Sequence, residues 1–292
     1  DELTAAMGWH ADNTAHVLGA LSSLGFVELA DGRYHNSEEA QWYLVKGSPE
    51  YLGGFLLFYG QSEGGVPMDV KKLLEEGPQP LPQMEMEQHL NFSQYGRMLR
   101  MSEEGYRQQE ILRIVRTLPE NGSIRRVLDV GCAAGLLGLA VIGDAPERTG
   151  VLFDRIPSQI IQESVDQAGL TGRAQVMQGD FLTDSVGGGY DLILAVSILL
   201  FAKGHMETVL KKLYDALNPG GVLVAISEGA ASDLSGPWDM VTGYLPYYLN
   251  GMDMGVRAGE VEEAARKAGF TRIETHTEVL CSREQDVHIL RK

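Results

Sequence analysis

The 292-residue sequence predicts an α/β fold: a mostly parallel sheet of seven strands with an antiparallel final strand, preceded by an α-rich segment. From residue 123 onward, short β-rich runs alternate with helical stretches, which is typical of parallel strands joined by crossover helices. The last two runs have no helix between them, so we expect them to pair antiparallel at one sheet edge. The seven runs are residues 125–130, 149–154, 174–178, 190–196, 220–228, 270–280 and 283–292.

The first sixty residues predict two helices, Asp1–Met7 and Asn13–Leu24, followed by a hairpin that turns at Asp31 and Gly32. This order is typical of winged helices, many of which bind DNA. The segment carries eight acidic and two basic residues, and its second helix has no Lys or Arg to contact phosphates. We therefore predict a winged-helix-like packing or dimerisation domain. The predicted divisions are residues 1–83 for this domain and a linker, 84–122 for connecting helices, and 123–292 for the α/β domain.

Charge and composition narrow the class of protein. The formal net charge is -16 and the pI is about 4.8, which disfavours nucleic acid as a partner. No stretch has the apolar length that a membrane span needs, and no targeting segment is visible. Two cysteines cannot form a disulfide framework and fit a reducing, cytoplasmic location. Since the chain begins at Asp1 without Met, we expect a preceding segment.

The segment Asp129–Gly135, DVGCAAG, joins a buried strand to a helix. Gly131 and Gly135 permit a tight turn and a close approach of backbone to a ligand, and the helix start offers free N–H groups. Open α/β sheets bind ligands at the carboxyl ends of their strands. The spacing D-x-G-x-x-x-G fits neither a dinucleotide fingerprint, in which Ala133 would be glycine, nor a phosphate loop, which needs G-K-[S/T].

Two acidic residues follow the next two strands. Asp154 ends the second strand, where a carboxylate accepts hydrogen bonds from ribose hydroxyls in nucleoside-binding βαβ units. After the third strand, we expect Asp180 to accept from an adenine amino group and Phe181 to pack on the ring. Each feature alone is also what an ordinary turn or helix cap would show. Their combination favours a nucleoside cofactor.

Together with an N-P-G-G turn at Asn218–Gly221, these segments resemble the signature of class I S-adenosylmethionine-dependent methyltransferases in order and spacing. The resemblance implies a Rossmann-like domain, S-adenosylmethionine as cofactor and a small-molecule acceptor. The predicted cofactor-binding residues are Asp129, Gly131, Cys132, Gly135, Asp154, Arg155, Gly179, Asp180, Phe181, Ala195 and Ser197.

Over nearly its full length the chain is similar to O-methyltransferases of the caffeate and acetylserotonin type, which place a winged-helix-like dimerisation domain before the class I domain. Residues 18–28 resemble the second helix and wing of that family, and residues 256–270 resemble its late helix. The resemblance implies a homodimer formed through the N-terminal domain.

The catalytic histidine of that family is replaced. Aligned backward from the D-A-L-N-P-G-G segment, the family's H-D-W triplet falls on Leu199, Leu200 and Phe201. A family glutamate that precedes the late Arg257 is here Val256. Leucine cannot accept the proton that an acceptor hydroxyl must lose, so the usual base is missing.

Several interpretations of this loss stay open. Another base can serve: His205 is nearby in sequence, although it also suits a solvated helix start. Glu228, which matches the family's other glutamate, can orient an acceptor or simply lie at a strand end. The acceptor can be an amine, a thiolate or an activated carbon that needs little base. The fold can also catalyse a non-methylating reaction, as a lyase or pericyclic catalyst, or act as a non-catalytic cofactor-binding partner. Glu228 and His205 are the predicted catalytic residues.

In the resembling family the region between the fifth strand and the late helix lines the acceptor pocket, so the resemblance implies a pocket here. Its Met and aromatic side chains suit a planar or hydrophobic molecule. An ordinary core helix would have the same composition. No His or Cys pair has zinc spacing, so no metal is predicted. The predicted wall is Trp238, Met240, Tyr244, Tyr247, Tyr248, Met252 and Met254, with Phe92, Tyr95, Met98 and Met101 as a lid.

Overall fold

Nine strands are present in the described part of the chain, which in this computed structural model comprises residues 2–61, 70–78, 92–229, 244–251, 253, 255–281 and 283–292. The first two form a hairpin and the other seven form one sheet. The strands are β1 Val27–Ala30, β2 Arg33–Asn36, β3 Arg126–Val130, β4 Thr149–Asp154, β5 Ala174–Gln178, β6 Tyr190–Val196, β7 Leu217–Ser227, β8 Arg272–Leu280 and β9 Arg283–Arg291.

The seven-stranded sheet has the order β5-β4-β3-β6-β7-β9-β8. Strands β3 to β7 pair in parallel, and β9 runs antiparallel to both of its neighbours, β7 and β8. This confirms the predicted sheet, including its antiparallel final strand. Because β4 lies on one side of β3 and β6 on the other, the strand order reverses at β3, and a ligand crevice is expected at its carboxyl end.

Helices cover both faces of this sheet, because its central strands are apolar on both sides. Val127, Leu128 and Val130 of β3 are fully buried, and two separate apolar clusters contain them. The helices are α1 Glu2–Met7, α2 Ala11–Ser23, α3 Glu38–Tyr43, α4 Gly53–Gln61, α5 Val70–Glu76, α6 Phe92–Glu103, α7 Tyr106–Thr117, α8 Leu136–Gly143, α9 Ser158–Gln167, α10 Met206–Ala216, α11 Leu245–Leu249 and α12 Glu260–Ala268.

Two details of the elements follow from local backbone geometry. Among the connecting helices predicted within residues 84–122, α6 ends before Gly105 and α7 begins at Tyr106, because Gly105 adopts a φ of +74°. The predicted turn at Asn218–Gly221 lies within β7 instead of before it. Tyr190 pairs with Leu217 and Leu192 pairs with Val222, so these four residues bulge out of the ladder between the two pairs.

The N-terminal elements are two helices, a hairpin and further short helices. The hairpin confirms the turn prediction: Asp31 and Gly32 both have positive φ, as a two-residue turn of type I′ requires. Within residues 2–57, Ala40 is the one buried hydrophobic residue, and thirteen large apolar side chains are exposed. The winged-helix assignment stays a prediction. None of the described helices has both the length and the apolarity that crossing a bilayer requires.

Candidate cofactor and acceptor site

The glycine loop follows β3 and is held by backbone and carboxylate hydrogen bonds. Gly131 and Cys132 donate from their N–H groups to the Phe153 carbonyl, at 2.8 and 3.1 Å. Gly131 has a φ of +67° and Gly135 a φ of +84°. Ala133, at the position that a dinucleotide fingerprint gives to glycine, has a φ of +47°. Strained backbone of this kind is retained where the surroundings enforce it, often at ligand sites.

Asp154 is what holds Ala133 in that conformation. Its Oδ2 accepts from Ala133 N at 2.8 Å and its Oδ1 accepts from Ile156 N at 3.1 Å. The side chain is half-buried, and burial raises the pKa of its carboxyl. Asp154 therefore connects the end of β4 to the glycine loop, which is where the ribose acid was predicted.

Asp129 and Glu103 both bind N–H groups in the first turn of α8. Asp129 Oδ2 accepts from Gly138 N at 2.8 Å, and Glu103 Oε2 accepts from Leu136 N at 3.0 Å. Asp129 was in the predicted set, whereas Glu103 was missed. Both are almost fully buried, at 2% and 4% exposure. Burial is the main cause that raises the pKa of Asp129 to about 7 and that of Glu103 to about 8.

These carboxylates decide which charge the loop favours. The free N–H groups of a helix start are where a dinucleotide pyrophosphate binds, but here protein carboxylates occupy two of them. Asp129 and Asp154 raise the pKa of Glu103 further, while Arg107 lowers it. A cationic ligand relieves this repulsion and an anionic ligand adds to it. The loop thus fits a cofactor that carries a positive charge, as S-adenosylmethionine does on its sulfur.

The other predicted cofactor residues lie at the carboxyl ends of neighbouring strands. Gly179 N donates to the Asp154 carbonyl at 2.9 Å, which brings the β5 end beside β4. Asp180 Oδ1 caps its own turn by accepting from Leu182 N at 2.8 Å. Phe181 is half-buried and packs against the core, and Arg155 is exposed just after Asp154.

Cys132 and the β6 residues complete the predicted set. Cys132 is buried within the loop, and burial raises the pKa of its thiol. The Ala195 side chain is fully buried in the core, whereas Ser197 follows β6 with a φ of +54° and donates from its N–H to the Ile226 carbonyl at 3.0 Å. Leu199, which was predicted to replace the family's histidine, has no exposed surface and belongs to the core.

Glu228 lies directly after β7 and has one free buried oxygen. Its Oε1 accepts from the Tyr244 hydroxyl at 3.0 Å. Its Oε2 and the Tyr248 hydroxyl are both buried without a hydrogen-bond partner in the described part of the chain. Burial raises the pKa of Glu228, while the Tyr244 hydrogen bond and the charges of Arg283 and Lys203 lower it. Two buried polar atoms without partners indicate that a ligand or water binds there.

The second predicted catalytic residue, His205, lies between β6 and α10. It is exposed and precedes α10, and its side chain does not cap that helix. Lys203, two residues earlier, forms an ion pair with Asp253 at 2.9 Å. The sequence did not predict this ion pair. Tyr244, Tyr247 and Tyr248 are half-buried, and the Tyr244 ring packs edge to face against each of the other two.

The structure describes part of the predicted acceptor pocket. Met98 and Met101, two of the predicted lid residues, are half-buried on α6. Trp238, Met240, Met252 and Met254 lie outside the described residues, as do the side chains of Phe92 and Tyr95. In the ranges that are described, no group of three or more His, Cys, Asp or Glu side chains is arranged to hold a metal ion.

The parallel sheet with a carboxylate-lined glycine loop at its switch point defines a class of enzyme, the S-adenosylmethionine-dependent methyltransferases. Comparison with known proteins gives the family. The profile of the O-methyltransferase domain matches residues 97–271. The chain belongs to this O-methyltransferase family, and its cofactor is S-adenosylmethionine.

Relatives within this class differ in the atom that they methylate. The chain is 26% identical over 266 residues to 3-hydroxy-5-methyl-1-naphthoate 3-O-methyltransferase of Streptomyces sahachiroi, covering 89% of this chain and 76% of that protein. It is 27% identical over 219 residues to the N,N-dimethyltransferase OxyT of Streptomyces rimosus, covering 71% and 62%. The crystal structure of human N-acetylserotonin methyltransferase with its cofactor shares the fold, with a TM-score of 0.75, 18% identity, and coverage of 99% and 85%.

Proposed function

We propose that this enzyme transfers a methyl group from S-adenosylmethionine to a small aromatic or hydrophobic acceptor, and that Glu228 accepts the acceptor's proton. The observation that carries this proposal is the Glu228 Oε2 atom, which is buried and has no hydrogen-bond partner among the described residues. An acceptor O–H or N–H would satisfy that atom, whereas nothing in the described protein does.

Glu228 has the properties that a general base needs. Burial raises the pKa of its carboxyl towards the working pH, which strengthens it as a base. The Tyr244 hydroxyl fixes Oε1, so Oε2 is left in a defined position. The family's histidine position cannot contribute, because Leu199 is fully buried in the core. His205 is exposed, and we propose it only as a second candidate base.

Tyr248 gives the acceptor a second polar contact. Its buried hydroxyl also has no partner in the described ranges, and the charge of Glu228 influences it. An acceptor with a hydrogen-bond donor towards Glu228 and an acceptor atom towards Tyr248 would satisfy both groups. Hydroxylated or aminated aromatic rings have this chemistry, and a naphthoate O-methyltransferase is among the relatives.

We propose that the glycine loop holds the cofactor. When bound, S-adenosylmethionine supplies a methyl group on a positively charged sulfur. Asp129, Glu103 and Asp154 provide a negative environment for that charge, and their hydrogen bonds fix the loop backbone. The remaining predicted residues, from Arg155 to Ser197, are proposed to contact the nucleoside from the ends of β4, β5 and β6.

The histidine replacement that we infer from the sequence leaves one alternative function. The same fold can bind the cofactor yet catalyse a non-methylating reaction, and the sequence alignment that puts Leu199 at the family's histidine position supports it. Methyl transfer must convert S-adenosylmethionine to S-adenosylhomocysteine. Product formation without that conversion would therefore support the alternative.

The decisive experiment compares Glu228→Gln with wild type. The probe is 3-hydroxy-5-methyl-1-naphthoate with S-adenosylmethionine carrying a labelled methyl group, alongside aromatic amines and phenols. We expect the wild-type rate to rise with pH as Glu228 loses its proton, because only the carboxylate is a base. Glu228→Gln should lose the rate by about 10²- to 10⁴-fold and lose this pH dependence.

A control keeps that experiment specific. Glu207 is exposed in the first turn of α10, so Glu207→Gln should keep wild-type activity. Unchanged rates in Glu228→Gln, with cofactor binding intact, would remove Glu228 from the proposal.

We also propose that residues 1–83 form a dimerisation domain for a second copy of this chain. Residues 2–57 of this segment have one buried hydrophobic residue and thirteen exposed large apolar side chains, such as Leu24 at 70% exposure, which supports an apolar interface. The net charge of -16 continues to argue against nucleic acid as a partner. A cytoplasmic location is proposed because both cysteines are free thiols.

A further inference from the structure

Glu103 lies outside every motif of the glycine loop, yet its side chain is buried against the loop. It is 4% exposed, and its Oε2 accepts from Leu136 N at 3.0 Å. The chain turns sharply two residues later, at Gly105, where a Cβ atom would lie 2.1 Å from the Tyr51 carbonyl oxygen. The hydrogen bond between Glu103 and Leu136 therefore joins the end of α6 to the start of α8.

The charges around Glu103 are mostly negative. Asp129 from β3 and Asp154 from β4 oppose its ionisation, while Arg107 from α7 favours it. The thiol of Cys132 lies in the same field, since Glu103 raises its pKa. With burial as the largest cause, the pKa of Glu103 is raised to about 8. At neutral pH its carboxyl therefore holds a proton in most molecules.

We propose that Glu103 is a positioning residue whose charge follows that of the cofactor's sulfur: it holds a proton while no positively charged sulfur is bound in the loop, and releases the proton to solvent when one binds. This rests on the proposed placement of the cofactor in the glycine loop. One proton leaves the Glu103 carboxyl as one positive sulfur arrives. Glu103 takes a proton back from solvent once the sulfur has become neutral.

Because of this linkage, the affinities for S-adenosylmethionine and for its product S-adenosylhomocysteine should depend differently on pH. S-adenosylmethionine and S-adenosylhomocysteine carry the same ammonium and carboxylate groups and differ in the methyl group and the charge of the sulfur. Below the pKa of Glu103, affinity for the cation should rise by up to about tenfold per pH unit, because each binding event releases up to one proton. The neutral product should show a smaller rise, so the preference for the cation should increase with pH.

The test measures proton release directly. Both ligands are titrated calorimetrically into the full chain at pH 7, in two buffers with different ionisation enthalpies, so that the difference in heat gives the number of protons released. Dissociation constants are then measured from about pH 6 to 8. We expect wild type to release more protons with S-adenosylmethionine than with S-adenosylhomocysteine.

Glu103→Gln is the matched variant, because glutamine keeps an oxygen that accepts the Leu136 N–H but does not titrate. We expect it to lose the excess proton release and the steeper pH dependence for S-adenosylmethionine. Glu104→Gln, one residue further on at a half-buried position, is the control and should retain both. Equal proton release in wild type and Glu103→Gln would overturn the proposal.

A second measurement keeps the proposal testable if Glu103→Gln does not fold. The infrared band of protonated carboxyls in wild type should lose more intensity on addition of S-adenosylmethionine than of S-adenosylhomocysteine, by the amount that one carboxyl contributes; an equal change with both ligands would refute the proton release. Absence of binding by either ligand to wild type would instead refute the cofactor placement itself, so the two failures are distinguishable.

Discussion

Gly138 is where the geometry of the cofactor loop makes its sharpest prediction. A Cβ atom added there would lie 2.7 Å from Asp129 Cβ, from Asp129 Oδ2 and from Leu152 Cδ2. Asp129 and Leu152 are both buried on adjacent strands, so neither can move away cheaply. Gly138→Ala should therefore push Asp129 off its 2.8 Å hydrogen bond to Gly138 N.

Two opposing effects set the change in the free energy of unfolding of Gly138→Ala. Overpacking of a rigid core costs about 1–3 kcal/mol. Replacing glycine by alanine inside a helix returns up to about 1 kcal/mol. Gly143→Ala, in the same helix, should gain much of the stabilisation from replacing glycine without the cost of overpacking. The nearest atom to its added Cβ would be Leu170 Cδ1, at an ordinary 3.9 Å. The difference between the two variants thus isolates about 1–3 kcal/mol of overpacking.

Urea unfolding of both variants measures that difference, and calorimetric titration measures the accompanying loss of S-adenosylmethionine affinity. We expect Gly138→Ala to be the less stable variant and the weaker binder. If it is as stable as Gly143→Ala and binds the cofactor as wild type does, then the close approach of α8 to β3 and β4 is not as described.

Two further predictions concern the cofactor loop and the N-terminal segment. Asp154→Ala should weaken S-adenosylmethionine binding, since it removes the hydrogen bond that holds Ala133, whereas Leu199→Ala should cost about 2–5 kcal/mol of stability and leave cofactor affinity nearly unchanged in the same titration. Wild-type affinity in Asp154→Ala would refute the ribose-site assignment. Sedimentation velocity should show that the wild-type chain is a dimer. Leu24→Glu, at an exposed position just after α2, should disrupt that dimer, whereas the control Val279→Glu, at an exposed position at the end of β8, should leave it intact. A monomeric wild-type chain would contradict the dimer proposal.

The sheet was predictable because each strand carries its own signal. Short runs of Val, Leu and Ile bounded by glycines and acids mark β3, β4 and β6, and their burial on both faces is what makes them apolar throughout. The hairpin was predictable for a similar reason, since Asp31 and Gly32 have the conformations that their residue types favour.

Glu103 could not be predicted, because its role depends on elements that are distant in sequence. A glutamate in the run MSEEG is by default a solvated helix residue. Its burial requires α6 to end against α8, and that in turn requires the conformation of Gly105 beside Tyr51. The unpartnered oxygen of Glu228 is also a property of packing, although the residue itself was identified through the resemblance.

The three loop carboxylates have a consequence for the thermodynamics of ligand capture. Their hydrogen bonds to Ala133, Leu136 and Gly138 are made by the protein's own side chains, so folding itself orders the loop backbone. Ordering a flexible residue costs about 1–2 kcal/mol. Because the loop is ordered during folding, binding of a nucleoside does not include this entropic cost, and the affinity is higher than for a flexible loop.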